Sequence, residues 1–166
     1  FKPNGVVTAA TSSPLTQGAC ALLLMSREKA DTLGLSYKYK YSYGVLAGCD
    51  PTIMGIGPIP AIKKLVAGKK LNLDEVGAIE LNEAFASQSL ACIRELNLDN
   101  ENAPFKRVNV WGGALALGHP LGESGARIII TLLNVLSTEF PTAKYGLASL
   151  CGAFGNAGAL LVGKVN

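Results

Sequence analysis

The sequence predicts a layered α/β domain with a mixed sheet and a buried central helix. Three observations carry that expectation. Strand-like and helix-like segments alternate through the first two thirds of the chain, which is the pattern of a sheet covered by helices. The stretch from Ser124 to about Glu139 carries Ile128, Ile129, Ile130, Leu132, Leu133, Val135 and Leu136, apolar around most of a helix circumference. Two strand-like runs, Tyr145–Leu150 and Ala159–Val162, then follow with only a small-residue loop between them.

The elements read in order as follows. Val6-Val7-Thr8 is a short strand or extended entry before a polar loop, Thr11-Ser12-Ser13-Pro14. Ala19 to Met25 is a continuous apolar run without polar punctuation, read as a strand buried on both faces; its periodicity alone leaves a helix open. Ser26 reads as an N-cap for a short helix ended at Gly34. Tyr37, Tyr39, Tyr41 and Tyr43 alternate with other residues at period two, the mark of a strand with one solvated face. Packing against helices is the plainer use of such a stripe, and stacking on a ligand the alternative. Pro58-Ile59-Pro60 feeds a helix from Ala61 to about Ala67. Val76 to Leu81 is a strand, and Asn82-Glu83 opens a helix reaching about Leu96, with Cys92 a small core hydrophobe on its inner face. Asp99 to Arg107 is a polar loop, and Val108-Asn109-Val110 leads into the glycine-rich stretch 112–127.

Composition narrows the class. Among 166 residues 49% are hydrophobic and 16% charged, enough apolar material for one domain, 1–166, with a sizeable core. A net charge of +3 is too small to argue for a nucleic-acid partner. Four cysteines without CxxC spacing and one histidine do not make an ordinary zinc site, so no metal is expected. Cysteines in apolar surroundings read as reduced thiols, hence a cytoplasmic setting. No apolar run approaches the roughly 18 residues that span a bilayer, so no membrane is expected. A start at Phe1, without methionine, reads as a piece of something longer.

Three polar groups stand where strands meet loops or helix starts: Asn82, His119 and Cys151. Such strand ends are where α/β sheets hold ligands. His119 precedes Pro120 and the start of the long apolar helix, whose positive N-terminal end favours a neutral ring. A neutral imidazole donates one hydrogen bond and stabilises a developing oxyanion. Cys151 ends a strand before a loop rich in backbone N–H groups, which raise the thiolate fraction. Each residue also has a plainer reading: a satisfied loop histidine, an inert buried cysteine, and an asparagine that caps the helix it opens. Gly122-Glu123-Ser124-Gly125 misses the hydrolase pattern G-x-S-x-G. No G-x-G-x-x-G follows a strand, and no phosphate loop ends in GK[ST].

In this order, Thr8-Ala9-Ala10-Thr11-Ser12-Ser13, Leu23-Leu24-Met25-Ser26, Met54 to Ala61, Asn82-Glu83-Ala84-Phe85-Ala86, Gly112 through Arg127 and Leu150-Cys151-Gly152 resemble the C-terminal half of a thiolase, nearly end to end. The resemblance implies one half of a duplicated fold and an acyl-CoA C-acyltransferase of fatty-acid metabolism. Its reaction is the reversible Claisen condensation or thiolytic cleavage of 3-ketoacyl-CoA. Cys151 then matches the acid/base cysteine, His119 and Asn82 the groups that hold the enolate oxygen, Asn82 through a water. Ser13 matches a contact to the pantetheine arm of CoA, with Ala9, Ala84 and Phe85 around it, and Ala153 offers an oxyanion N–H. The substrates are CoA thioesters, with no further cofactor. The partners implied are the missing N-terminal half, which carries the nucleophilic cysteine, and other subunits of a homo-oligomer. The chain alone is then expected to be inactive. Two departures from the family pattern are Gly152-Ala153-Phe154-Gly155-Asn156-Ala157, where glycines usually cluster, and Glu123, where small residues are common. They leave open a non-catalytic module for CoA-thioester binding or assembly.

Overall fold

The structure, a computed structural model, describes residues 2–99 and 105–165. Its centre is a four-stranded mixed sheet of β1 (Tyr39–Gly48), β2 (Val76–Leu81), β3 (Tyr145–Cys151) and β4 (Asn156–Lys164), in the order β1-β4-β3-β2. The β2–β3 pair is parallel, and β4 runs antiparallel to both of its neighbours. The helices are α1 (Arg27–Thr32), α2 (Pro58–Lys69), α3 (Ala86–Glu95), α4 (Ala114–Leu117) and α5 (Ser124–Thr138).

The central strands are apolar on both faces because each residue in turn meets a different layer. Ile79, Leu147 and Leu161 pack with Ile62 and Leu65 of α2 and Cys92 and Ile93 of α3. The neighbouring residues Ala78, Ala148 and Val162 pack on the other face with Ile128, Leu132, Val135 and Leu136 of α5. Residues under α5 are small for a steric reason. A Cβ at Gly146 would lie 2.5 Å from Leu136 and 2.9 Å from Leu132, so glycine lets the helix settle close to the sheet. Burying each of these leucines stabilises the fold by about 1.5–3 kcal/mol before entropy is counted. The face α5 buries is a stripe, Ser124, Ile128, Leu132, Val135 and Leu136, while Ile129, Ile130 and Leu133 are half-buried.

Two local expectations hold, the cap at Ser26 and the core place of Cys92. Ser26 caps α1, its hydroxyl accepting from the Lys29 N–H at 3.2 Å. Cys92 is fully buried in the core, where burial pushes its thiol up to about 11. All four cysteines are free thiols. No helix among the described residues is long and apolar enough to cross a membrane.

Val6–Thr8 is an extended entry and not a strand, with Thr8 in extended backbone just before a 3-10 turn, Ala9–Thr11. Three expectations do not hold. Ala19–Met25 is neither strand nor helix; it lies on the surface with Leu23 83% and Leu24 76% exposed. The sheet is completed without it, and an apolar run becomes a buried strand only where a second strand pairs with it. The tyrosine stripe is broken by a bulge between Tyr41 and Tyr43. The extra residue, Ser42, shifts the alternation by one, so Tyr39 packs on the α5 face and Tyr43 on the α2 face, while Tyr41 stays exposed. Finally, α3 begins at Ala86, four residues later than Asn82. The polar loop 99–107 has its residues 100–104 outside the described residues; 105–107 form a 3-10 turn.

Candidate active site

Parallel pairing puts the ends of β2 and β3 at one edge of the sheet. Leu81 is in register with Ser149, and the Asn82 N–H donates to the Ser149 carbonyl at 3.0 Å. Asn82 therefore stands just past β2 beside the strand that ends at Cys151, the carboxyl edge where α/β sheets bind ligands. Its side chain is 1% exposed, and neither Nδ2 nor Oδ1 has a hydrogen-bond partner among the described residues. Burying an amide unpaired costs about 1–3 kcal/mol per polar group, so this is an expensive place for asparagine. Nor does Asn82 cap α3. Gln88 does that work, its Oε1 accepting from the N–H groups of Ala84 and Phe85.

Two loops tie the other predicted residues to this edge. The Ser13 N–H donates to the Ala84 carbonyl at 3.0 Å, and Ser12 makes a bridge with Phe85. The next residue, Pro14, accepts from the His119 N–H at 2.8 Å. Residues 12–14 thus clasp the 82–85 loop on one side and His119 on the other. Ala84 is buried, Phe85 and Ser13 are half-buried, and Ala9 sits exposed in the turn leading into the clasp.

His119 is half-buried, its Nδ1 2.6 Å from the Ser124 hydroxyl. Burial lowers its pKa, Arg127 lowers it further, and Glu123 opposes both. The ring is thus held neutral, chiefly by lost solvation. Arg127 also donates to the Gly118 carbonyl at 2.8 Å, pinning the backbone before the histidine.

Cys151 is buried at the last position of β3, paired with Ala157. Its thiol is pushed up from its ordinary value by burial, with Cys49 adding to the rise and a local backbone N–H opposing it. This corrects the sequence expectation of an enriched thiolate: the free N–H groups are outweighed by desolvation. Beyond it, Ala153 opens an exposed 3-10 turn, and Phe154 follows with φ +63° and 91% exposure. A bulky residue in the left-handed region costs on the order of 1 kcal/mol or more.

Composition and spacing did not single out several polar residues that shape this edge. Asn109 accepts from the Leu81 N–H and donates to the Leu81 carbonyl, both at 2.8 Å, closing the free edge of β2. It also donates to Glu83, whose other oxygen accepts from Leu115 N–H. A Cβ at Gly113 would fall 2.2 Å from the Glu83 carboxyl carbon, so only glycine lets that loop pass. Glu80, on the α5 face and 3% exposed, has a carboxyl pushed up to about 8 by burial and by Glu83, with Arg127 opposing. The Asn-Glu dipeptide was the one signal for Glu83; Asn109 and Glu80 left none. No group of three or more His, Cys, Asp or Glu suited to a metal occurs among the described residues.

Comparison with known proteins bears on this arrangement. Residues 36–164 match the sequence family described as thiolase, C-terminal domain. The chain belongs to the thiolase family. It is 51% identical over 156 residues to the 3-ketoacyl-CoA thiolase of Vibrio vulnificus, covering 93% of this chain and 39% of that protein. The 3-ketoacyl-CoA thiolase of Idiomarina loihiensis is 48% identical over 166 residues, covering 42% of its length. Among solved structures, the Bacillus anthracis acetyl-CoA acetyltransferase superposes with a TM-score of 0.92 at 41% identity, covering 99% of this chain and 40% of that one. Human mitochondrial 3-ketoacyl-CoA thiolase in complex with CoA gives a TM-score of 0.92 at 38% identity, covering 100% and 40%. This thiolase domain thus spans about two fifths of the length of the relatives it matches.

Proposed function

We propose that the chain is a single domain that supplies the acid/base and oxyanion-holding half of a thiolase active site. In the longer protein it would cleave or form 3-ketoacyl-CoA, with CoA thioesters as substrates and no other cofactor. The observation that carries this reading is Asn82: a fully buried amide, unpartnered by the described residues, at the sheet edge that also ends in Cys151. Its amide would fix a water on the enolate oxygen, and neutral His119 would donate to the same oxygen. Charge appears there only along the reaction path, so such donors stabilise the transition state more than the substrate. A Cys151 thiol kept protonated by burial suits the cleavage direction, in which it gives its proton to the departing enolate carbon. In condensation the proton moves the other way, from the α-carbon to sulfur. Ser13, Ala9, Ala84 and Phe85 would line the pantetheine arm, and the Ala153 N–H would serve the thioester oxygen. The nucleophile, most of the CoA surface and the contacts of a homo-oligomer would come from the remaining three fifths. A role in fatty-acid metabolism belongs to the same reading, and a cytoplasmic setting is proposed from the four free thiols.

The test is thiolysis of acetoacetyl-CoA by the full-length protein. Activity should fall about 10²–10³-fold or more in Cys151→Ala and His119→Ala, and the 166-residue chain alone should show none. Unchanged turnover in Cys151→Ala would remove that residue from the chemistry. One observation favours a second reading. Phe154, exposed and in the left-handed region beside Cys151, stands where the family resemblance implies glycine. A full-length protein that binds CoA but never turns over, and gains turnover in Phe154→Gly, would be a module for CoA-thioester binding or assembly.

A further inference from the structure

Ser124 is the first residue of α5, and its side chain is completely buried. Its hydroxyl oxygen has two neighbours: His119 Nδ1 at 2.6 Å and the Pro120 carbonyl at 3.0 Å. A hydroxyl has one proton to give, so it donates to one of them. The choice is decided by the Pro120 carbonyl. It already accepts from the Glu123 N–H at 2.8 Å and from the Ser124 N–H at 2.9 Å, which fills both of its lone pairs. The imidazole nitrogen offers a free lone pair at the shorter distance, and 2.6 Å suits an O–H donor better than an N–H one.

We infer that Ser124 donates to His119 Nδ1 and thereby fixes the ring as the tautomer that carries its proton on Nε2. Ser124 is a positioning residue: it acts on the ring and not on substrate. The consequence for chemistry rests on the proposed function, because an Nε2–H is the donor an enolate oxygen needs, whereas the opposite tautomer would point a lone pair at it. The tautomer itself does not rest on that reading. A protonated ring would also meet resistance here, since Nδ1–H would force the serine proton onto a carbonyl with no lone pair left.

The experiment uses the full-length protein labelled with ¹⁵N-histidine, with the His119 signals identified by their loss in His119→Gln. Long-range proton–nitrogen correlation above the titration of the ring should show Nδ1 bare and Nε2 protonated. In Ser124→Ala the ring should sample both tautomers, and kcat for thiolysis should fall roughly tenfold with KM changed less than about twofold. Protonated Nδ1 in the wild type overturns the inference. So does an unaltered tautomer ratio in Ser124→Ala. Should that variant fail to fold, the wild-type spectrum decides alone. A shifted ratio with unchanged kcat upholds the hydrogen bond and removes His119 from the proposed chemistry, so the two readings fail separately.

Discussion

The two faces of the sheet are built differently. On one, α2 and α3 bring Ile62, Leu65, Cys92 and Ile93 onto Ile79, Leu147 and Leu161, and the layer closes. On the other, α5 stands alone. Beside it runs an apolar groove of about 380 Å³, lined by Val45, Leu46, Ile129, Leu150 and Leu160 among others. The closed face is mostly hydrocarbon along the strands, and its buried Ser149 hydroxyl is satisfied by the Gly158 carbonyl. The α5 face holds the buried Glu80 carboxyl and leads, at the helix start, to Ser124 and His119. One face therefore closes its own layer, with Cys151 at the end of its strand, while the other holds a buried carboxyl and leaves apolar surface uncovered. A chain spanning two fifths of its relatives fits that division: it finishes one layer itself.

The comparison can be broken most directly at Leu65, fully buried on the closed face. Leu65→Ala should cost about 2–5 kcal/mol in urea unfolding, the usual range for a leucine cavity. A loss below ~1 kcal/mol would mean that this layer is not the main source of stability.

A comparable effect, confined to high pH, is expected from Glu80. Its folded carboxyl titrates near 8, against 4.5 ordinarily, so the folded chain holds a proton that the unfolded chain releases. The stabilisation is complete below about pH 4.5 and is lost as pH rises toward 8. Glu80→Gln keeps a neutral group in place and should remove that slope. By about pH 8 the variant should exceed the wild type by on the order of a few kcal/mol in thermal or urea unfolding. Parallel stability curves for the two proteins would mean that Glu80 is ionised in the fold.

The smallest effect belongs to the open face. Ile129→Ala should change the stability of this chain by less than ~1 kcal/mol, because the side chain is only half-covered. In the full-length protein the same substitution should cost more, if the groove beside α5 is covered there. Equal losses in both would leave the groove a solvent-facing surface.

The same contrast explains what the sequence made legible. The α5 pattern, the core role of Cys92 and the strand-end position of Cys151 depend on neighbours a few residues away or on plain apolar spacing, and these are read directly. Ala19–Met25 has an equally apolar pattern, yet burial depends on whether a pairing strand lies within reach. Composition does not record that. The tyrosine stripe failed at one inserted residue, Ser42, since a single slip exchanges faces. Asn109 closing the edge of β2 joins residues 28 apart, a contact no local pattern announces. The site was legible as three residue types at three strand or helix ends; the groups that hold them in place were not.

The glycine stretch has one more consequence. It passes against the Glu83 carboxyl at Gly113 and is held through the Leu115 N–H, the Gly118 carbonyl and the His119 N–H. Gly113 and Gly118 serve close passage, and Gly112 and Gly118 take a positive φ. A histidine delivered on such a fixture is already set before any substrate arrives. Under the proposed function, binding would then have little ordering entropy to overcome at that position, and affinity would not be spent on assembling the donor.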